Sequence, residues 1–433
     1  MNAIAKSTKT QLMSALRTVM LTAALFVKRP GIDFTRKKKL SFKTTVLAVL
    51  SMGGLPLNRE LLRLFNFKIT TPTASALVQQ RDKILPEAFE FLFREFTDSL
   101  PLTKGFFGYR LLAIDGSDIN IARNPKDDST HFKNCENTPG FNLLHLNALY
   151  DLRNRLYVDY IVQPRREENG CAALVKMVQR SKVGRKVVIL ADRGYECYNV
   201  FEHIERKGWN YAIRVTDIHT LGMLSPLNLP DGEFDVDIRR ILTRRLTKEV
   251  KENPGIYRFL ASKITFDHFD SEGLCPVSFR AVRFKLKTGE YESIISNLSR
   301  EEFPPEMIRK LYNMRWGIET SFRKLKHTIG LSALHARKTD SIAQEIAARL
   351  IMYNFCEMIV GSVVIAQNDR KHCYMVNFTM ATDICLRFFR RRGNDPPDVE
   401  SLIKKYTLPV RDNRTFPRTC KRRGFVSFVY RIA

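Results

Sequence analysis

The chain has 433 residues, room for two or three domains, and an apolar fraction of 44% that supports real cores. It carries 71 Lys and Arg against 45 Asp and Glu, a formal charge of +26. Such an excess points to a polyanionic partner, a nucleic acid or an anionic membrane surface. A membrane span is excluded, because the longest apolar stretch, Leu350 to Ala366, is broken by Asn354 and Glu357 and follows Arg349. That stretch reads as a buried core helix. The eight cysteines are scattered, with no Cys-X-X-Cys pair, which argues against zinc and a disulfide framework and suits reduced thiols of a cytoplasmic protein.

In chain order, residues 1–32 contain no acid. They faintly resemble a transit or signal peptide, but no small-residue cleavage site follows Leu21–Val27, and an amphipathic basic helix is predicted. Residues 1–45 hold ten Lys or Arg and one acid, and residues 387–423 hold twelve and four. Such ends serve as solvated tails or, beside a nuclease-like core, as DNA-backbone contacts. Residues 41–97 read as short helices broken at Gly53-Gly54, Asn58, Thr71-Pro72 and Pro86. Thr71 with Pro72 is expected to cap a helix reaching about Ile84. Its Thr73, Gln79, Gln80, Arg81 and Lys83 either read DNA, as in a helix-turn-helix module, or belong to a plain helical scaffold.

Leu111 to Ile114 is a short apolar run ending in Asp115-Gly116, so the acid is expected where a buried strand emerges. Asn142–Tyr150 and Leu156–Val162 read as a hairpin, and Cys171–Arg180 as a helix. Val187–Ala191 is a fully buried strand that runs into Asp192-Arg193-Gly194-Tyr195. A helix over Tyr198–Arg206 and a strand over Tyr211–Val215 follow. Three antiparallel strands followed by alternating helices and strands can set the first and fourth strands side by side, with Asp115 and Asp192 as neighbours. Asp118, an odd number of residues along the strand, would face the other way and is read as a surface residue. After Val215 four prolines and several short strands suggest a β-rich insertion.

The run from Tyr312 to Lys326 carries the most information. Tyr312, Arg315, Glu319 and Lys326 lie at offsets of 3, 7 and 14. On one helix, at about 100° per residue, they fall within roughly 60° of each other. Pro304 and Pro305 suit the start, Gly330 the end, and Leu311, Met314, Ile318, Phe322, Leu325 and Ile329 form an apolar stripe. Taken alone this is an ordinary charged face with a Glu–Arg pair, and an acid at a strand mouth is ordinarily a cap. Together, three converging carboxylates repel each other unless a cation binds between them. Mg²⁺ prefers a few carboxylates plus phosphate oxygens.

These motifs resemble the DDE transposases of bacterial insertion sequences, in the branch marked by a Tyr-Arg-Glu-Lys signature. Tyr312, Arg315, Glu319 and Lys326 match that signature without a gap, and Asp115-Gly and Asp192-Arg-Gly-Tyr resemble the first two acidic motifs. The likeness covers about residues 105–345. It implies an α/β fold with a ribonuclease-H-like mixed sheet and flanking helices, interrupted by the β-rich insertion, after an N-terminal helical domain. The expected division is 1–100 for a helical DNA-end-binding domain, 101–218 and 297–345 for the core, 219–296 for the insertion, and 346–433 for a helical, basic C-terminal region. Asp115, Asp192 and Glu319 would hold Mg²⁺, with Mn²⁺ able to substitute. Tyr312, Arg315, Lys326 and Arg193 would contact DNA. Terminal inverted repeats, target DNA and a second copy of the chain on the DNA ends are the implied partners, in the cytoplasm at the nucleoid. Relatives that form a DNA hairpin stack a base on an insertion tryptophan. Here the insertion has none, leaving Tyr257, Phe259 or Phe266, with Trp209 and Trp316 read as core. A nuclease without strand transfer and a non-catalytic DNA-binding derivative remain the alternatives.

Overall fold

Caps and prolines set many of the element ends. The structure, a computed structural model, describes residues 2–133, 139–367, 372–391 and 397–410. Cys135, Cys420 and the basic residues past 410 lie outside the described residues. The chain opens with helices α1 (Ala3–Leu21), α2 (Phe42–Ser51), α3 (Leu57–Leu64), α4 (Ala74–Arg81) and α5 (Glu87–Asp98). Helix α1 is amphipathic and buries Leu12, Leu16 and Val19. Thr73, not Thr71, caps α4 by accepting from the Ala76 N–H, and that helix stops at Arg81.

Next come β1 (Arg110–Ile121), β2 (His131–Phe132), β3 (Phe141–Asp151), β4 (Leu156–Pro164), α6 (Gly170–Arg180), β5 (Val187–Ala191), α7 (Tyr198–Arg206) and β6 (Asn210–Val215). Strands β7 (Phe234–Thr243), β8 (Tyr257–Phe259), β9 (Leu274–Lys285) and β10 (Tyr291–Ser296) follow, with α8 (Lys248–Glu252) between β7 and β8. Strands β1 to β10 build one mixed sheet in the order β2-β3-β1-β5-β6-β10-β9-β7-β8, with β4 also on β3. The β-rich segment therefore does not leave the sheet after β6. Antiparallel β10 pairs with β6 and carries the sheet onward, so β6 has no open edge to protect.

Strand β1 is longer than its apolar run. It continues past Asp115 to Ile121, paired antiparallel with β3 over its whole second half. Gly116 is thus not a turn residue. A Cβ there would lie 2.2 Å from His145 Nε2, so glycine makes room for a side chain on the neighbouring strand.

One sheet face packs on α6 and α7, around Leu112, Ile189, Leu174 and Phe201. The other packs on α9 (Pro305–Asn313), α10 (Trp316–Arg323), a π-helical turn at Lys324–Ile329, and α11 (Thr339–Val360). Beyond α11, β11 (Tyr374–Val376) pairs with β12 (Thr407–Pro409) around α12 (Phe378–Arg390) and α13 (Val399–Lys405). Helix α11 is buried on nearly every side and includes the first part of the apolar stretch, ending at Val360. Among the described residues no helix is long and apolar enough to cross a membrane. The apolar core does not stop near residue 100. Leu16, Val49 and Phe93 of the N-terminal helices share one cluster with Ala113, Tyr157, Ile346 and Phe389.

Candidate active site

Parallel pairing of β1 with β5 ends at Ala113 and Leu190. Continued two residues further, that register would set Asp115 opposite Asp192. Pairing of β5 with β6 ends at Ala191 and Ile213, so the same row continues to Arg214. The strand registers thus direct two acids and an arginine toward one end of the sheet. Asp192 leaves its strand and caps a short 3₁₀ turn, its Oδ1 accepting from the Gly194 N–H at 2.9 Å. A Cβ on Gly194 would come 3.0 Å from that oxygen, which accounts for the glycine of this motif. Arg193 is exposed beside it.

The signature segment is not one uniform helix. It tightens at Met314–Ile318, where Arg315 N–H donates to Tyr312 O and Ile318 N–H to Arg315 O, three residues back. It then widens into the π-helical turn that carries Lys326, and Gly330 ends it at φ 97°. The four signature side chains therefore do not share the single stripe expected of an ideal helix. Tyr312 is 3% exposed and packs with Leu311 and Ile308. Burial pushes its phenol up to about 12. A direct contact with DNA is closed to it in this structure, and its ring instead lies 5.7 Å from the Arg315 guanidinium. Arg315, 6% exposed, is also turned inward. It lies 3.6 Å from Asp115 and 3.0 Å from Glu319. Lys326 is half-buried.

Glu319 reaches the row from α10, whose Ile318 and Phe322 bury in the core while Ser321 Oγ meets the Tyr157 hydroxyl at 2.8 Å. The Asp115 carboxyl senses the other two acids. Burial pushes the Asp115 carboxyl up to about 6; the Gly116 N–H and Arg315 oppose the rise, and Asp192 and Glu319 add to it.

More than half of the chain, residues 106–355, matches the model of the transposase DDE domain. The chain belongs to that family. It is 28% identical over 134 residues to transposase InsG for insertion sequence element IS4 of Escherichia coli (strain K12), a match spanning 28% of this chain and 29% of that protein. The chain thus matches less than a third of that relative's length. Among solved structures, a cryo-EM structure of the piggyBac transposase synaptic complex with hairpin DNA is similar, with a TM-score of 0.43 and 9% identity. The match covers 91% of this chain and 81% of that one.

In this DDE-domain chain the donor set suits a divalent cation: three carboxylates, one of them raised by burial and by the other two. Their ligand atoms are not within 4.8 Å of one another, and the Arg315 fork stands among them. A closer group exists on the opposite sheet face, where ligand atoms of Asp118, His145 and Glu168 all lie within 4.8 Å. His145 Nδ1 is 2.7 Å from Asp118 and 2.9 Å from Glu168, and Arg165 pairs with both acids. Asp118 does face away from Asp115, but it is mostly buried in this network and is not a surface residue. The network closes on itself through Arg165 and holds His145 over Gly116.

Sequence reasoning missed Arg214 and this network. The strand alternation carried the signal for both, but only the register between strands names the neighbour. Trp209 is buried, and its Nε1–H donates to Gly184 O at 2.9 Å. Trp316 is 46% exposed, so the reading of it as core was wrong. Its ring lies 5.2 Å from the Arg315 guanidinium. Phe266 is buried, which removes it as a base-stacking candidate, whereas Tyr257 and Phe259 are half-exposed.

Proposed function

We propose that the chain is a DNA transposase that binds the terminal inverted repeats of its insertion sequence, cleaves DNA with Mg²⁺ and transfers the strand to target DNA. A homodimer on the DNA ends, at the bacterial nucleoid, completes the reading. The observation that supports it is Arg315, which lies 3.6 Å from Asp115 and 3.0 Å from Glu319, beside a β1–β5 register that runs toward Asp115 and Asp192. A ribonuclease-H-like core is supported by the strand order β4-β3-β1-β5-β6, antiparallel then parallel, with crossover helices α6 and α7.

Asp115, Asp192 and Glu319 would hold Mg²⁺, and Mn²⁺ could substitute. A divalent cation there supplies activation of the attacking hydroxyl and charge stabilisation at the leaving oxygen of an in-line displacement. Until the acids are neutralised, Arg315 holds two of them. Afterwards its bidentate fork suits a phosphate next to the scissile bond. Lys326, Arg193 and Arg214 supply further positive charge for the DNA backbone. Tyr312 acts as a positioning residue, through its packing beside Arg315.

Glu319→Gln tests the reading. It should keep DNA binding in a gel shift and abolish Mg²⁺-dependent nicking and strand joining on an end-bearing duplex. Losing a ligand removes several kcal/mol of transition-state stabilisation. Nicking at the wild-type rate would mean that this acid is structural.

A further inference from the structure

Helices α2, α3 and α12 and the turn after α3 enclose an open groove of about 1120 Å³. Seven of its lining residues are Lys or Arg, and one, Asp383, is an acid. Lys39, Arg63, Lys68 and Arg387 are exposed. Among the described residues none of these four is paired with an acid. Arg390 at the groove floor is different in kind. It is held by Ser51 O and by Glu60 at 3.2 Å, and serves the fold.

The turn at Phe65–Thr70 forms one wall. Asn66 and Phe67 both have φ of 55°, a left-handed pair without glycine. Such backbone costs energy and persists at ligand-binding sites. The turn holds Phe67 outward, 70% exposed, and Lys39 bonds Thr70 O across it. An exposed aromatic ring on a strained turn, beside exposed cations that no acid among the described residues neutralises, fits a polyanion that has flat bases. The opposite wall, α12, packs on the π-helical turn that carries Lys326, with Lys324 Nζ 4.2 Å from the Phe378 ring centre. The helix that forms this wall thus also touches the signature segment, while the groove lining includes none of the three acids.

We propose that this groove seats a stretch of DNA, with Lys39, Arg63, Lys68 and Arg387 on phosphates and Phe67 against a base or sugar. The proposal rests on the transposase reading and deepens it. The seat is built jointly by the N-terminal helices and α12, so neither end of the chain makes it alone.

The test measures fluorescence anisotropy of an end-bearing duplex with the full chain across a salt series. Wild type is compared with the fourfold variant Lys39→Gln, Arg63→Gln, Lys68→Gln, Arg387→Gln, and with Phe67→Ala. All five residues are exposed and melting curves certify the fold; if loss of the Lys39 bond to Thr70 O lowers the melt, the threefold variant that keeps Lys39 replaces the fourfold one, with an expected loss of about 2 to 3 units of slope. Each lost phosphate contact flattens the slope of log affinity against log salt by about 0.9, so the fourfold variant should lose about 3 to 4 units of slope. Phe67→Ala should weaken binding roughly tenfold without changing the slope. A folded fourfold variant with the wild-type slope would overturn the groove and leave the transposase reading intact. A wild-type chain that binds no DNA even at low salt would overturn both.

Discussion

Asp115 is held in a strand, mostly buried, with two other carboxylates near it, and Arg315 is the cation that makes this tolerable. The guanidinium reaches Asp115 and Glu319 and lies near the rings of Tyr312 and Trp316. Removing it leaves like charges facing one another in a poorly solvated site. Arg315→Gln should therefore destabilise the metal-free protein by about 1–3 kcal/mol, below the full cost of breaking a buried pair because Glu319 is partly exposed. Mg²⁺ should then raise the melting temperature of the variant more than that of wild type, because the cation replaces the lost counter-charge. Equal increments in differential scanning fluorimetry would mean that Arg315 and the metal do not compete for the same acids. The need for a basic residue four before the acid is visible in the chain. Its inward turn is not, since an ideal helix would present Arg315 and Lys326 alike to a phosphate.

Helix α4 illustrates how burial reassigns a polar face. The spacing of Thr73, Gln79, Gln80 and Arg81 suits a reading helix, yet Arg81 is 4% exposed. It pairs with Glu345 of α11 at 2.6 Å and donates to Gln344 at 2.7 Å. The Arg81 guanidinium and His335 hold the Glu345 carboxyl well below the usual range despite its burial. Cutting one partner strands the other in the interior. Arg81→Ala should cost about 3–5 kcal/mol, and the pair Arg81→Met with Glu345→Leu should recover much of it. Urea unfolding of the three proteins measures this. A stability change below about 1 kcal/mol for Arg81→Ala, typical of an exposed pair, would return Arg81 to the surface. The signature segment teaches the same caution. Its start at Pro305 and end at Gly330 are written in residue types, but the tightened turn at Arg315 and the π-helical turn at Lys326 come from packing against β1 and α11.

Across the molecule, the N-terminal helices and the C-terminal helices form one body over a sheet face. Leu12, Leu16, Phe89 and Phe93 bury against α11 or its neighbours, and Lys9 donates to Phe388 O at 2.8 Å and Arg391 O at 2.9 Å. A chain starting at residue 101 would expose this whole apolar face. It should be insoluble or aggregate on purification, in contrast to what a separable end-binding domain would allow. A soluble, monodisperse fragment with a cooperative melt would restore the boundary near residue 100. The acid-free stretch at residues 1–32, expected as an amphipathic basic helix, forms α1, and its apolar stripe is filled by the core.

Much of this architecture is local and hence legible in the chain. Strand β5 is an apolar run bounded by polar residues, α6 and α7 have the helical period with Asn169 capping α6, and the three acids sit in short motifs, of which Gly194 answers to its neighbour Asp192. These features depend on contacts a few residues apart, or on alternation that any sheet imposes. What lay beyond the chain's own pattern depends on distant partners. The extension of β1 past Asp115 needs β3, the place of Gly116 needs His145, and the row from Asp115 through Asp192 to Arg214 needs the register of three strands. The inward turn of Arg315 and the burial of Arg81 need acids on other elements. Charge and periodicity state what a residue can pair with. Only the folded chain brings one particular partner within a few ångströms and excludes water from the pair, and that exclusion sets the energy.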